Sequence, residues 1–161
     1  MIQVFLGLGS NLDREKNIRA GLLALENSFG DVKLSTIYES ESVGFKGSNF
    51  YNLVVSLQTD LTIAELSETL KKIEDENGRM RNGPKYSPRT LDIDILTYGD
   101  FVGIEAGVDL PRAEITENAF VLLPLSELAP HDLHPCLKKS YADLWASYDQ
   151  KAQALWEIDL L

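Results

Sequence analysis

Asp92 and Asp94 stand one residue apart in Arg89-Thr-Leu-Asp-Ile-Asp-Ile95, where apolar and polar residues alternate. In an extended strand, alternate side chains share a face. Leu91, Ile93 and Ile95 then enter a core, and the two carboxylates point the other way, roughly 7 Å apart at the rise of a strand. Like charges so placed repel unless a cation lies between or beside them. Magnesium takes one or two carboxylates together with water and substrate phosphates. A solvated strand face, its acids touching only water or a lysine, accounts for Asp-x-Asp alone equally well.

A second signal lies just upstream. Arg79, Arg81 and Arg89 are three of the six arginines, gathered within eleven residues that also hold Lys85 and no Asp or Glu. The guanidinium fork matches phosphate oxygens in a bidentate way. Beside a paired-carboxylate strand, such a loop suits polyphosphate chemistry: metal neutralises one side of the phosphate chain and guanidiniums the other. The plainer alternative pairs these arginines on the surface with Glu74, Asp75 and Glu76. Glu74, one turn before the arginines, reads either as an anchor for arginine or substrate or as a solvated helix-end acid.

Other features carry less. Gly7-Leu-Gly9-Ser-Asn11 lacks the Gly-Lys-[Ser/Thr] ending of a phosphate loop and reads as a turn between strand and helix. His131 and His134, in Pro130-His-Asp-Leu-His-Pro135, have only Cys136 as a thiol near by, too few ligands for zinc. Trp145 and Trp156 read as packing residues.

The elements that must position these residues follow from periodicity and punctuation. Gln3 to Leu8 is an apolar run expected as a buried strand. Asp13 is placed to cap a helix with a stripe of Ile18, Leu22, Leu25 and Phe29, stopped at Gly30. Val32, Leu34, Thr36 and Tyr38 alternate as one second strand, residues 39–49 form a loop, and Phe50 to Leu57 a third strand. Thr62-Ile-Ala-Glu65 is a capping box. It opens a helix with Ile63, Leu66, Leu70 and Ile73 inward, ending near Asn77-Gly78. A loop from Arg79 to Pro88, with Gly83-Pro84 inside it, leads to a fourth strand over Leu91–Leu96. The order β-α-β-β-α-β predicts an α+β, ferredoxin-like core: an antiparallel sheet with both helices on one face. In the C-terminal extension, Asp109-Leu-Pro111 reads as extended, Glu117 to Leu128 as a short helix limited by Pro124, and Tyr141 to Trp145 as a last helix.

Composition sets the outer bounds. The chain has 161 residues, one cysteine and a net charge of −10. That length fits a single domain over 1–161 that can bury a core without disulfides. The charge disfavours nucleic acid and anionic membranes but permits small anionic substrates at a local basic patch. The lone thiol, an N-terminus without the pattern of a signal peptide and the lack of a long apolar span lead us to expect a cytoplasmic protein.

Several pieces, in order, resemble 6-hydroxymethyl-7,8-dihydropterin pyrophosphokinases of folate biosynthesis: Gly9-Ser-Asn-Leu12, Tyr51-Asn52-Leu, Ile73-Glu74 leading to Gly78-Arg-Met-Arg81, Pro88-Arg-Thr-Leu-Asp-Ile-Asp94, and Phe120-Val-Leu-Leu-Pro-Leu125. The resemblance implies a ferredoxin-like monomer that moves pyrophosphate from ATP to the pterin alcohol. It implies two magnesium ions on Asp92 and Asp94 and catalytic arginines at Arg79 and Arg89. Nucleotide contacts are expected from Glu74, Arg81, Ile95 and Arg112, and pterin contacts from Ser40, Val43, Phe50, Asn52, Tyr86 and Phe120. Three positions depart from the family pattern. Arg112 stands where a histidine is usual, Asn118 where an arginine is usual, and Glu41 where a proline is usual. These departures leave open a relative acting on another alcohol, or a non-catalytic binder of ATP and magnesium.

Overall fold

The computed structural model describes residues 1–41, 48–78, 90–151 and 153–159. In chain order these form β1 (Ile2–Ser10), α1 (Arg14–Phe29), β2 (Lys33–Leu34), β3 (Ile37–Ser40), β4 (Phe50–Thr59), α2 (Ile63–Glu76), β5 (Asp92–Tyr98), β6 (Gly103–Glu105), β7 (Val108–Leu110), α3 (Glu114–Glu117), α4 (Ala119–Leu128), α5 (Tyr141–Ser147) and β8 (Leu155–Ile158).

The apolar run at the start becomes an interior strand of the main sheet. β1 pairs antiparallel with β4 on one side and with β5 on the other, and the strand order is β5-β1-β4-β3-β8. The first four strands of that order are those of the ferredoxin-like fold, as the sequence predicted. α1 and α2 cover one face, where Val4, Leu6, Leu8, Leu53, Val55, Leu57, Ile93 and Ile95 meet Ile18, Leu22, Leu25, Leu66, Leu70 and Ile73. The opposite face is covered as well. Phe5, Val54 and Leu96 pack against Ile115, Leu122, Leu125 and Tyr141 of the C-terminal extension, giving three layers.

Local chemistry explains most boundaries. The Thr62 capping box is complete: the Glu65 N–H donates to Thr62 Oγ1 (3.2 Å) and the Thr62 N–H to Glu65 Oε1 (2.9 Å). Gly30 ends α1 at φ 81°, a conformation glycine adopts without strain. Asp13 does occupy the N-cap position of α1, but in a left-handed conformation and without a side-chain cap bond.

The expected single strand over 32–38 is two pieces. Lys33–Leu34 and Tyr38–Ser40 both pair with β4, but their registers differ by one residue. The Ser35 N–H donates to the Val54 carbonyl (2.9 Å), and Ser35 Oγ accepts from the Val54 N–H (2.9 Å). The extra residue is thus absorbed as a bulge. Glu39 and Ser40, expected in a loop, continue the strand. The helix expected over 117–128 is α4, with Pro124 inside it, and a short additional turn, α3, precedes it and ends at Glu117. Asp109 and Leu110 are extended as expected, in β7, but its hairpin pairing with β6 and the edge strand β8 were not foreseen. Trp156, read as packing, lies on β8 with 43% of its surface exposed. Among the described residues, no helix is long and apolar enough to cross a membrane.

Candidate active site

Two rows of paired residues cross the sheet on its C-terminal-extension face. Gly9 of β1 lies between Asp92 of β5 and Asn52 of β4; Gly7 lies between Asp94 and Val54. The strand pleat turns Asp92 and Asp94 to this face and Ile93 and Ile95 to the core, as the alternation required.

The glycines leave the middle of each row without side chains. A Cβ at Gly9 would lie 3.2 Å from Asn52 Oδ1, and one at Gly7 would lie 3.4 Å from Leu96 Cδ2. The space kept open belongs to a cavity of about 270 Å³, lined by these glycines with Phe50, Asn52, Phe120, Asp92, Asp94 and Arg112, and rimmed by Glu41, Glu114 and Asn118. Gly7-Leu-Gly9 is therefore strand and cavity floor rather than the turn expected from sequence. Ser40 sits behind Asn52, whose Nδ2 donates to Ser40 Oγ at 2.7 Å and so fixes the amide.

A second, more polar cleft of about 550 Å³ opens beyond the aspartates. It is lined by Lys71, Glu74, Ile95 and Asp109, and it shares Asp92, Asp94, Arg112 and Glu114 with the first cavity. The two carboxylates thus stand on the wall between an apolar cavity and a polar one.

Glu74 is neither exposed nor solvated, which corrects one of the two sequence readings. It is buried, and its Oε2 accepts from the backbone N–H of Ile93 at 2.7 Å. The bond ties α2 to the outer edge of β5 between the two aspartates. Ile95 is also buried, in the core below the polar cleft. Arg112 follows a cis Leu110–Pro111 bond, and its N–H donates to the Leu96 carbonyl at 2.9 Å. Its Nη2 lies 3.5 Å from Asp94 Oδ1, and its Nε donates to Glu114 Oε2.

Electrostatics single out Asp94. Burial, and then the neighbouring Asp92 carboxylate, push its carboxyl up to about 7, against the pull of the Arg112 guanidinium. The group is set deep in protein mass yet keeps 34% of its side chain open to the cavities. A divalent cation beside the two carboxylates would relieve their repulsion. Among the described residues no three His, Cys, Asp or Glu side chains gather as a ready-made metal cage. Two carboxylates beside open space leave coordination positions for water and phosphate, the donor set that fits magnesium.

Of the sequence-predicted residues, Phe50, Asn52, Phe120, Asp92, Asp94 and Arg112 converge on the first cavity, with Ser40 supporting Asn52. Glu74 and Ile95 border the second. Val43, Arg79, Arg81, Tyr86 and Arg89 lie outside the described residues. Sequence reasoning missed Gly7, Gly9, Lys71 and Glu114. The two glycines carried a signal, since glycine inside an apolar strand marks close approach. His134 is buried, and its Nδ1 accepts from the N–H groups of Cys136 and Leu137 (both 3.1 Å), a loop staple rather than a metal ligand.

Comparison with known proteins points to one family. The family model described as 7,8-dihydro-6-hydroxymethylpterin-pyrophosphokinase matches residues 5–130. A 2-amino-4-hydroxy-6-hydroxymethyldihydropteridine pyrophosphokinase of Aquifex aeolicus is 39% identical over 141 residues, covering 86% of this chain and 88% of that one. Its namesake in Porphyromonas gingivalis is 38% identical over 141 residues, covering 84% and 95%. Among solved structures, wild-type HPPK-DHPS of Plasmodium falciparum with SDX-DHP superposes with a TM-score of 0.70 at 16% identity. That match covers 91% of this chain and 43% of the other, so the chain spans under half of the longer protein.

Proposed function

The chain belongs to the 7,8-dihydro-6-hydroxymethylpterin pyrophosphokinase family, and from that premise we propose that its two cavities hold the pterin alcohol and ATP on either side of Asp92 and Asp94. The enzyme is a diphosphotransferase of folate biosynthesis. The observation that carries the assignment of substrates to sites is the shared wall: the same two carboxylates line an apolar cavity and a polar cleft.

In this reading Phe50 and Phe120 contact the faces of the pterin ring, and Asn52, fixed by Ser40, hydrogen-bonds its polar edge. Val43 and Tyr86 are assigned to the same pocket from the family motif. The triphosphate enters the polar cleft beside Arg112, with Ile95 and Glu74 at its floor, and Arg79, Arg81 and Arg89 are assigned to its phosphates from the motif. Two magnesium ions held by Asp92 and Asp94 would supply charge neutralisation across the triphosphate. The hydroxymethyl oxygen forms a bond to the β-phosphorus, the bond from that phosphorus to the AMP oxygen breaks, and the hydroxyl proton passes to solvent. The protein contributes chiefly by positioning and by preorganised charge. Glu74 acts at one remove, by holding the Ile93 backbone and thus the spacing of the aspartates.

The test is formation of AMP from ATP, magnesium and 6-hydroxymethyl-7,8-dihydropterin. AMP should appear only with the pterin present and should vanish in Asp94→Ala. Full activity in that variant would remove Asp94 from the metal site. Magnesium-dependent ATP binding without AMP would instead point to a different acceptor alcohol, a reading favoured by Glu41 at the pterin cavity. We further propose a single-domain, cytoplasmic monomer without nucleic-acid or membrane partners; its one cysteine and net charge of −10 support this. Sedimentation at the rate of one 161-residue chain is expected, and a dimer would refute it.

A further inference from the structure

We propose that Arg112 is an internal counter-ion of Asp94 that the incoming metal–nucleotide displaces, and that Glu114 is the positioning residue that keeps the displaced guanidinium between the two cavities. The proposal rests on the magnesium–ATP reading of the site and adds a ligand exchange to it.

Arg112 is the cation among the described lining of the apolar cavity, where Glu41, Asp92, Asp94 and Glu114 are the acids. Its backbone is held on both sides: its N–H donates to the Leu96 carbonyl (2.9 Å), and its carbonyl accepts from the Ile115 N–H (3.2 Å). Its guanidinium is divided between two partners of different strength. Nε is bonded to Glu114, while Nη2 reaches only to 3.5 Å from Asp94 Oδ1. All three side chains are about a third exposed (35%, 34% and 36%), so distance and not burial separates the pairs: the short bond to Glu114 holds, and the long contact to Asp94 is the one that exchanges.

A divalent cation that binds Asp94 takes over that carboxylate and repels the guanidinium beside it. Arg112 cannot leave the region, because Glu114 still holds Nε. Its terminal nitrogens are then available to the polar cleft, which Arg112 and Glu114 also line. A phosphate oxygen there is the acceptor that the fork suits best. Asn118 lines the same apolar cavity without charge. Arg112 therefore opposes metal in the empty protein and favours metal once nucleotide is bound.

The experiment measures Mn²⁺ binding by the paramagnetic resonance signal of free Mn²⁺. The metal is supplied alone and then with α,β-methylene-ATP, whose bridging carbon blocks transfer. For Arg112→Gln, Mn²⁺ alone should bind about two- to fivefold more tightly, the range for a part-exposed ion pair, and Mn²⁺ with the analogue should bind more weakly by a similar factor. Glu114→Gln should weaken the analogue complex without tightening Mn²⁺ alone. If Arg112→Gln does not fold, Arg112→Lys, which keeps the charge and loses the fork, should still weaken the analogue complex. Unchanged or weakened binding of Mn²⁺ alone in Arg112→Gln overturns the exchange, as does an unchanged analogue complex in Glu114→Gln or Arg112→Lys. A wild-type protein that fails to bind Mn²⁺ with the analogue overturns both the exchange and the functional reading.

Discussion

A methyl group added at Gly9 would lie 3.2 Å from Asn52 Oδ1 and 3.7 Å from the Phe50 ring, both on the wall assigned to the pterin. Gly9→Ala should therefore raise KM for the pterin several-fold and leave KM for ATP nearly unchanged; steady-state kinetics with each substrate varied in turn checks this. Asp94 makes a prediction about pH. Its folded-state carboxyl is raised from 3.8 to about 7, so between those values the folded protein binds more protons than the unfolded chain. Stability then falls as pH rises through this window. Without metal, the wild type should melt at a lower temperature at pH 8 than at pH 5, by a larger margin than Asp94→Asn, and magnesium should narrow the difference. Equal pH dependence in the two proteins would contradict the assignment. At this scale the sequence was informative where residue type and spacing coincide. Alternation put Asp92 and Asp94 on one face, and motif order identified Asn52 and Phe120. It was silent where the cavity depends on a missing side chain, as at Gly7, or on a pairing made only by the fold, as between Glu114 and Arg112.

Among the elements, α4 is capped from outside itself. Asn118 at its N-cap makes no side-chain cap bond. Instead Gln153 reaches back: its Oε1 accepts from the Ala119 N–H (2.8 Å), and its Nε2 donates to Asn118 Oδ1 (3.0 Å). Tyr148 adds a hydroxyl bond to the Glu117 carbonyl (2.8 Å). These contacts hold the start of the helix that carries Phe120. Gln153→Ala should cost about 1 kcal/mol, as loss of a cap does, and should raise KM for the pterin with little change in kcat. A thermal melt and pterin-dependent kinetics measure the two effects, and an unaltered KM would confine Gln153 to stability. The sequence revealed the long elements because their apolar stripes are regular. It concealed the Ser35 bulge because Val32, Leu34, Thr36 and Tyr38 read as one alternating set, whereas the extra residue shifts the phase: Leu34 is exposed, and Ile37 and Tyr38 are both buried. It concealed β8 because an edge strand of four residues, with Trp156 and Glu157 outward, has almost no apolar pattern to detect.

Across the whole molecule, the sheet is the partition on which the functional parts are mounted. One face joins α1 and α2 in a core that sequence periodicity foretold, while the other face divides its area between a second core and the cavities. The family match ends at residue 130, yet residues beyond it complete that second layer. Tyr141 packs edge-on against Phe5 at 6.2 Å between ring centres, and β8 closes the edge of β3, the strand that carries Ser40. The Gln153 clasp therefore has a consequence for the order of synthesis. On the ribosome, Asn52, Asp94 and Phe120 are all translated before Gln153. A nascent chain halted before Tyr148 would carry every side chain of the apolar cavity while leaving α4 uncapped and β3 unpaired on its outer side. The contacts that brace the proposed pterin pocket, the Gln153 bonds at α4 and the β8 pairing with β3, are thus made only after translation has passed the residues that line the cavity.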